Sequence, residues 1–203
     1  MIAIVDYGMG NLRSVQKGFE SAGATVVVTS DPGVIRGAAA VVVPGVGAFH
    51  KAMMNIRPAL EEPILEAVEA GKPFLGICLG FQLLFSVGLE GGPTRGLDLI
   101  GGEVRRFSPS SGVRVPHIGW NQLRILRESP VTSGIPDGSY VYFAHSFRAF
   151  PGDWGVVVAE TEYGEIFPSV VQKGNVFGLQ FHPEKSSQVG LRMLRNFVSL
   201  LNS

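Results

Sequence analysis

Residues 74–80 read Phe74-Leu75-Gly76-Ile77-Cys78-Leu79-Gly80, and they carry the only cysteine of this 203-residue chain. They join an apolar run to a stretch at residues 82–85 that has a helical pattern. Glycines on both sides of Cys78 remove β-carbons that would clash in a sharp strand-to-helix turn. Because the amides and dipole at the start of a helix favour a thiolate over a thiol, this turn is predicted to present Cys78 as a nucleophile.

A second apolar run, at residues 176–181, predicts another buried strand that leads into His182, Pro183 and Glu184. Residues two apart in an extended segment lie on the same face, so His182 and Glu184 can form a base and its orienting carboxylate. A lone cysteine in an apolar segment is more often a small buried hydrophobe. The flanking glycines and this downstream pair favour the catalytic interpretation of Cys78.

The first part of the chain alternates short β-branched runs with helical patterns. Strands are predicted at residues 2–5, 25–28, 41–43 and 74–78, and helices at residues 12–22 and 60–70. This alternation predicts βαβ units, and hence an α/β fold with an open, mostly parallel sheet and helices on both faces. Ligands of such sheets bind beyond the carboxyl ends of the strands.

The rhythm changes after Gly91-Gly92-Pro93, where strands follow one another with few helices. Strands are predicted at residues 102–107, 123–126, 140–143, 155–160 and 166–171, and an amphipathic helix at residues 189–201. These strands are expected to form antiparallel hairpins appended to the main sheet. No linker interrupts the pattern, so residues 1–203 are expected to form a single domain.

Composition and charge exclude several classes of function. The formal net charge is zero and the basic residues are scattered, so no nucleic-acid partner is expected. A single cysteine cannot form an internal disulfide, which fits a cytoplasmic location. Residues 1–6 are predicted to be a first strand rather than a signal peptide, and no run reaches the roughly 20 apolar residues of a membrane span. No cofactor and no metal site is predicted.

Five further motifs follow one another along the chain. They are Asp6-Tyr7-Gly8-Met9-Gly10-Asn11-Leu12, Pro44-Gly45-Val46-Gly47-Ala48-Phe49, Gly119-Trp120-Asn121, Tyr142-Phe143-Ala144-His145-Ser146 and Gln180-Phe181-His182-Pro183-Glu184-Lys185-Ser186. Together with the Gly-x-Cys-x-Gly turn, they resemble the class I glutamine amidotransferases, and within that class the glutaminase subunits of imidazole glycerol phosphate synthase. The resemblance covers nearly the whole chain and implies a flavodoxin-like sheet.

The resemblance implies a Cys-His-Glu triad of Cys78, His182 and Glu184 that hydrolyses glutamine to glutamate and ammonia through a cysteine thioester. It also implies a heterodimer with a cyclase subunit, a (β/α)₈ barrel that receives the ammonia directly. The complex makes imidazole glycerol phosphate in histidine biosynthesis, and its activity depends on signals between the two subunits.

An oxyanion hole is expected from Gly45, Val46 and Gly47 together with the amide of Leu79. Residues 44–47 follow a predicted strand, so their amides can face the same cleft as Cys78. The alternative is a plain strand-ending turn. Related amidotransferases have a more glycine-rich loop here, and we hypothesise that the Pro-Gly-Val-Gly peptide must reorient before the glutaminase becomes active.

Substrate-binding residues are expected at Gln82, on the first turn of the helix after Cys78, and at Ser146 and Phe147. Gln82 can turn its amide back toward glutamine, and residues 146 and 147 can contribute backbone groups. The alternative for Gln82 and Ser146 is an ordinary surface polar residue. Phe147 stands where the family usually has tyrosine, so only its backbone is expected to bind glutamine.

The partner subunit is expected to contact Asn11, Trp120, Tyr142 and Lys185. Local core packing is the alternative for the two aromatic residues. For Asn11 the alternative is a helix cap. The Gly8-Met9-Gly10 turn is not predicted to bind a dinucleotide, because Arg13 occupies the third glycine position of that motif.

The remaining histidines, His50, His117 and His145, are interpreted as structural, because none has a carboxylate at a matching strand position. Two other functions stay open. The chain can be the glutaminase subunit of another class I amidotransferase, in pyridoxal phosphate or anthranilate synthesis. It can also be a non-catalytic relative that uses Cys78 as a redox sensor.

Overall fold

The computed structural model describes residues 1–108 and 112–202. The strands are β1 (Ile2–Val5), β2 (Val26–Thr29), β3 (Ala40–Val43), β4 (Phe74–Ile77), β5 (Phe85–Gly88), β6 (Thr94–Arg95), β7 (Ile100–Arg106), β8 (His117–Gln122), β9 (Arg124–Ile125), β10 (Tyr140–His145), β11 (Phe147–Pro151), β12 (Val157–Glu162), β13 (Ile166–Lys173) and β14 (Val176–Leu179). The helices are α1 (Leu12–Ser21), α2 (Pro32–Gly37), α3 (Phe49–Ile56), α4 (Glu61–Glu69), α5 (Leu79–Leu83) and α6 (Ser187–Ser199).

The main sheet has the strand order β2-β1-β3-β4-β14-β13-β12-β9. The strands from β2 to β14 in this order are parallel, and those from β14 to β9 are antiparallel. The predicted fold class, a mostly parallel α/β sheet with appended antiparallel strands, is confirmed. The remaining strands form an antiparallel β8–β10 pair and a smaller mixed sheet in the order β11-β7-β5-β6, in which β5 and β7 are parallel.

The central parallel strands are buried on both faces, which explains their nearly continuous runs of β-branched and apolar residues. Neighbouring residues of β3 belong to two hydrophobic cores, with Val42 in the first and Val41 in the second. Phe19 of α1 and Phe197 of α6 pack edge to face in the first core. Helices α3, α4 and α5 contribute to the second, so each face of the sheet has its own layer of helices.

Several sequence predictions need correction. The predicted helix at residues 82–85 is wrong at its end, because α5 stops at Leu83 and Phe85 begins β5. Helices α2 and α3 and strands β5, β6, β8 and β11 were not predicted. The start of α2 had a local signal, since the Asp31 carboxylate accepts hydrogen bonds from the Gly33 and Val34 amides, with Pro32 at the first helical position.

The cap interpretation of Asn11 is also wrong. Its side chain makes no capping hydrogen bond to α1, and its backbone has φ −90° and ψ 66°. Within residues 1–108 and 112–202, no helix has both the length and the apolar character needed to cross a bilayer.

Candidate active site

The turn between β4 and α5 holds Cys78 in a conformation that non-glycine residues seldom adopt, with φ 54° and ψ −104°. Its two flanking glycines are required by close contacts. A β-carbon at Gly80 would overlap the Val43 carbonyl oxygen, and one at Gly76 would lie 2.5 Å from the Gly80 carbonyl oxygen. The predicted sharp turn is therefore confirmed, with its strain held by the close packing of β3, β4 and α5.

The parallel pairing of β4 with β14 brings the distant His182 to the same edge. Leu179 is paired with Ile77, and the Cys78 amide donates to the Leu179 carbonyl at 2.8 Å. Strand β10 then fixes the following segment, because the His182 amide donates to the Tyr142 carbonyl at 2.9 Å. Residues that are about a hundred positions apart thus leave the sheet side by side.

His182 contacts both of the side chains that were predicted to accompany it. Its Nδ1 lies 2.9 Å from Oε1 of Glu184, and its ring interacts with the Cys78 thiol, whose Sγ also lies 3.9 Å from the Ala144 carbonyl oxygen. All three side chains are buried. Burial lowers the pKa of His182, but the hydrogen bonds and charge interactions with Cys78 and Glu184 outweigh it and raise that pKa to about 10.

The reason given for the His182–Glu184 pairing was wrong although the pairing itself forms. The two residues were expected to share a face of an extended segment, but Pro183–Lys185 is a single 3-10 turn. This turn brings the carboxylate back to the imidazole. Ser186, fully buried, anchors the turn: its hydroxyl donates to the His182 carbonyl at 2.6 Å and accepts from the Tyr142 amide at 2.9 Å.

Cys78 opens onto a cavity of about 270 Å³, close to the lower limit of about 300 Å³ for ordinary ligand sites. Its lining residues are Val46, Gly47, Cys78, Leu79, Gln82, Glu90, Pro116, Ile118, Ala144, His145, Ser146 and Phe147. Two larger hollows, of about 740 and 610 Å³, lie along β9 and beside β12, and neither contains Cys78 or His182. The cavity at Cys78 is therefore the candidate site.

The loop that follows β3 lies beside Cys78, as expected for an oxyanion hole, but one of its peptides has the opposite orientation. The Leu79 amide donates to the Gly45 carbonyl at 3.2 Å. The Gly45–Val46 peptide is trans, so its N–H points away from its C=O, and the Val46 amide is directed away from the Leu79 amide. The two predicted donors do not converge on one point in this conformation.

The side chain of Tyr7 packs against this loop and forms a hydrogen bond with its backbone. Its hydroxyl donates to the Pro44 carbonyl at 2.7 Å, and a β-carbon on Gly45 would overlap its oxygen. Burial and the nearby Cys78 raise the pKa of Tyr7 well above its usual value, so the phenol stays neutral. Sequence reasoning missed this residue, although it lies within one of the quoted motifs.

All three predicted substrate-binding residues line the cavity. Gln82 is 6% exposed, so the alternative of an ordinary surface residue is wrong for it. Its Nε2 donates to the Phe147 carbonyl at 3.1 Å and to Oε1 of Gln180 at 3.2 Å. Ser146 is partly buried at the cavity wall. The Phe147 carbonyl accepts hydrogen bonds from Gln82 and His145, and the role of its backbone in glutamine binding stays a prediction.

Sequence reasoning also missed Glu90, a carboxylate that lines the same cavity as Cys78. Its Oε2 accepts from the Phe49 amide at 2.8 Å, at the start of α3. Glu90 follows β5, a strand that was not predicted, so the position of Glu90 at the cavity was not predictable. Its signal was only its position a few residues after the helix that carries Gln82.

The family model of the class-I glutamine amidotransferases matches residues 3–200. The chain belongs to the class-I glutamine amidotransferase family. It is 53% identical over 201 residues to imidazole glycerol phosphate synthase subunit HisH of Moorella thermoacetica, a match that covers 98% of this chain and 95% of the relative. It is 50% identical over 201 residues to the subunit of the same name in Archaeoglobus fulgidus, with 99% of both chains covered.

Solved structures of other amidotransferases share the fold at lower identity. One crystal structure described as a glutamine amidotransferase superposes with a TM-score of 0.77 at 21% identity, covering the whole of both chains. The structure of PurLQS from Thermotoga maritima gives 0.76 at 22% identity, covering 98% of each chain. At these identities the similarity extends to the class-I amidotransferase fold and no further.

Three of the residues predicted to contact a partner of this amidotransferase lie close together, on β8, on β10 and in the turn after His182. Trp120 and Tyr142 are paired across β8 and β10, with ring centroids 5.9 Å apart, and Lys185 Nζ lies 5.8 Å from the Tyr142 ring centroid. Trp120 is 52% exposed, so the core-packing alternative is wrong for it. Ile118, which was not predicted, is 62% exposed beside it. Asn11 is exposed on the loop before α1.

Within the described residues, none of the other histidines of this amidotransferase forms a hydrogen bond or ion pair with a carboxylate. His50 contacts the Thr94 hydroxyl at 3.1 Å, and His117 and His145 contact each other. In the part of the chain that the structure describes, no group of three His, Cys, Asp or Glu side chains is placed to hold a metal ion.

Proposed function

We propose that this chain is the glutaminase subunit of imidazole glycerol phosphate synthase, acting in the cytoplasm as a single amidotransferase domain, residues 1–203. It would hydrolyse glutamine and deliver ammonia to a (β/α)₈-barrel cyclase in a heterodimer. The observation that carries the proposal is the contact of His182 with both Cys78 and Glu184 beside a ligand-sized cavity. Two relatives that are 53% and 50% identical to this chain are named as subunits of this synthase, which favours it over other class-I amidotransferases.

Acylation uses the ion pair that the raised pKa of His182 favours. The Cys78 thiolate attacks the side-chain amide carbon of glutamine and forms a tetrahedral intermediate. Glu184 holds Nδ1 of His182, which leaves Nε2 for the reacting groups. As the C–N bond breaks, the His182 imidazolium donates its proton to the departing nitrogen, which leaves as ammonia. The product on the enzyme is a γ-glutamyl thioester.

Deacylation reverses the role of the imidazole. Neutral His182 accepts a proton from a water molecule, whose oxygen attacks the thioester carbon. The C–S bond breaks, glutamate leaves, and Cys78 and His182 return to the ion pair. Glu184 stabilises the imidazolium in both steps without taking up a proton. No cofactor or metal ion is required by this sequence of steps.

The orientation of the Gly45–Val46 peptide supports a slow glutaminase in the absence of the partner. The tetrahedral oxyanion needs donors aimed at one point, and the Val46 amide is directed away from the Leu79 amide. A rotation of this one peptide would release the Leu79 amide and add the Val46 amide, while Gly45 and Gly47 provide the conformational freedom. We propose that docking of the cyclase and its nucleotide favours that rotation.

Glutamine recognition is assigned to the rest of the cavity wall. Glu90 is the carboxylate in the cavity lining, and it can bind the α-ammonium group of glutamine. Gln82, Ser146 and the Phe147 backbone face the same space and can bind the other polar groups of the amino acid. This arrangement places the side-chain amide at Cys78 and the charged end at Glu90.

The partner subunit is assigned to the exposed surface around Trp120, Tyr142 and Lys185, together with Asn11. Tyrosine and tryptophan are enriched at the centres of protein interfaces. The exposed Ile118 on the same strand as Trp120 lines the cavity, so we propose that a docked barrel would lie close to the site where ammonia is released. Direct transfer would prevent ammonia from being protonated in bulk water.

The decisive experiment replaces the nucleophile and supplies ammonia by two routes. The chain is co-purified with the cyclase, and imidazole glycerol phosphate formation is measured with glutamine or with an ammonium salt. Cys78→Ala should abolish the glutamine-dependent reaction and spare the ammonium-dependent one, because the barrel still receives ammonia. Loss of both reactions would mean that Cys78 is structural.

A glutamine-like diazo-ketone separates the glutaminase from the redox-sensor alternative. The complex should form one covalent adduct, located on Cys78, and lose its glutamine-dependent activity in step with labelling. A complex that stays unlabelled while glutamine turnover is absent would favour the sensor. Failure to bind a cyclase, with glutaminase activity intact, would favour a different class-I amidotransferase.

A further inference from the structure

Two buried imidazoles lie beside the cavity, with His145 in its wall and His117 in contact with His145. His117 begins β8 and His145 ends β10, and the two residues are paired in register. Nδ1 of His117 is 3.1 Å from Nε2 of His145. The His117 ring is stacked between Phe143 and Tyr163, with centroid distances of 4.8 and 3.9 Å. Neither imidazole has a role in the steps described above.

The hydrogen bonds of His145 allow only one tautomer. Its Nδ1 is 2.7 Å from the Phe147 carbonyl, which can only accept, so Nδ1 must carry a proton. Burial, followed by the nearby charges of His117 and His182, lowers the pKa of His145 to about 3, although the bond to Phe147 opposes this. The ring is therefore neutral, and its Nε2 accepts a hydrogen bond from His117.

The same reasoning fixes His117 in turn. Its Nδ1 donates to His145, and burial lowers its pKa to about 4, so its Nε2 is an acceptor. Asn121 provides the donor: its Nδ2 is 3.3 Å from that nitrogen and also donates to the Glu162 carbonyl at 3.0 Å. Asn121 Oδ1 accepts from the backbone amide of Gln122, so the side-chain amide of Asn121 cannot be flipped without losing these hydrogen bonds. The chain of bonds therefore runs in one direction.

This chain ends at a carbonyl that belongs to the cavity wall. The Phe147 carbonyl accepts from Nδ1 of His145 and from Nε2 of Gln82. His145, Ser146 and Phe147 all line the space next to Cys78. Two donors on one carbonyl hold that backbone in a single orientation, and they tie it to the helix that follows the nucleophile.

We propose that His145 is a positioning residue for glutamine binding, which it serves by holding the Phe147 carbonyl through a neutral Nδ1–H that His117 and Asn121 enforce. The role in glutamine binding rests on the proposed glutaminase function. The tautomers of His117 and His145 follow from the structure alone. A proton on Nε2 of His145 would face the Nδ1 proton of His117. A doubly protonated His145 would face the imidazolium of His182.

The first test is spectroscopic and does not depend on activity. Long-range ¹H–¹⁵N correlation spectra of the complex report the tautomer of each of the four histidines, which single replacements assign. His117 and His145 should both be the Nδ1–H tautomer and should remain neutral at pH 6. An Nε2–H tautomer or a protonated ring at His145 would overturn the proposal.

The second test uses two replacements of similar polarity. In His145→Asn the amide nitrogen takes a place close to Nδ1 and can still donate to Phe147, whereas in His145→Gln it lies farther out. His145→Gln should raise the KM for glutamine about tenfold, the effect of losing one net hydrogen bond. His145→Asn should restore most of that affinity. Both variants should keep the ammonium-dependent activity of the complex.

His50→Gln is the matched control, because His50 contacts Thr94 outside the cavity and its replacement should leave the KM for glutamine unchanged. Equal KM values for His145→Asn and His145→Gln would overturn the positioning role even if both proteins fold. A wild-type complex without any glutaminase activity would overturn the proposed function instead. In that case the tautomer measurement would still decide whether the chain of bonds exists.

Discussion

The turn that carries Cys78 and the loop at residues 44–47 lie side by side, each directly after a buried parallel strand. In the turn, the sulfur already contacts His182, and the imidazole already contacts Glu184. In the loop, the Gly45 carbonyl accepts the hydrogen bond of the Leu79 amide, which is the donor that we assign to an oxyanion. We propose that the nucleophile is prepared in the isolated chain, while the donors that would stabilise the oxyanion are not yet in place.

The packing around the two segments explains why one can move and the other cannot. Gly80 touches the backbone of β3 so closely that no β-carbon fits, and the Cys78 amide is bonded to β14. Val46 is 44% exposed, and Gly47 has φ 117°, which glycine adopts without strain. The loop, unlike the turn, can therefore change its conformation when a partner binds. Regulation by peptide orientation needs no change in the triad.

The largest effect on catalysis is expected from Glu184→Gln, which removes the charge that stabilises the His182 imidazolium. We expect the glutaminase kcat of the complex to fall by about 10³–10⁴-fold, with little change in the KM for glutamine. Steady-state kinetics with glutamine and with ammonium salt provide the measurement. Glu69→Gln, at an exposed position near the end of α4, is the control. A Glu184→Gln complex with full glutaminase activity would exclude the carboxylate from the mechanism.

Addition of the cyclase subunit tests whether the loop at residues 44–47 limits the glutaminase reaction. Glutaminase rates of the chain alone, with the cyclase, and with the cyclase and its nucleotide should rise by about 10²–10³-fold in total, the usual value of an oxyanion donor. The increase should appear in kcat, because the loop acts on the tetrahedral intermediate. Equal rates in all three conditions would show that the Gly45–Val46 peptide does not limit the reaction.

A smaller effect is expected at the opposite end of the cavity. Glu90→Gln keeps an acceptor for the Phe49 amide but removes the negative charge that we assign to the α-ammonium of glutamine. The KM for glutamine should rise about 10- to 100-fold, as for a lost charge-assisted hydrogen bond, while activation by the partner is retained. An unchanged KM would remove Glu90 from the binding site.

The parallel half of the fold was largely predictable from the sequence. Strands β1, β3 and β4 are buried on both faces, so each has an unbroken apolar run that fixes its type and place. The turn at Cys78 was predictable as well, because sharp turns with close backbone contacts need glycine. These signals are local, and they lie within a few residues of the elements that they determine.

The walls of the site were less predictable, because they depend on pairings between distant segments. The contact of His117 with His145 exists only because β8 pairs with β10, and β8 was not recognised as a strand. Glu90 was missed because β5, the strand before it, was not predicted. The pairing of His182 with Glu184 was expected for the wrong local geometry, because the 3-10 turn is held by the adjacent Ser186, which in turn is bonded to Tyr142 of the distant strand β10.

The pKa of His182 is the most direct measure of the claim that sulfur, imidazole and carboxylate meet at one sheet edge. A charged histidine is stabilised by its partners, so the ring should hold its proton through neutral pH and release it near pH 10, not near 6.5. An NMR titration of the unmodified chain and of Cys78→Ala should show this raised pKa in the first and a clearly lower one in the second. An ordinary pKa that is the same in both proteins would contradict the account.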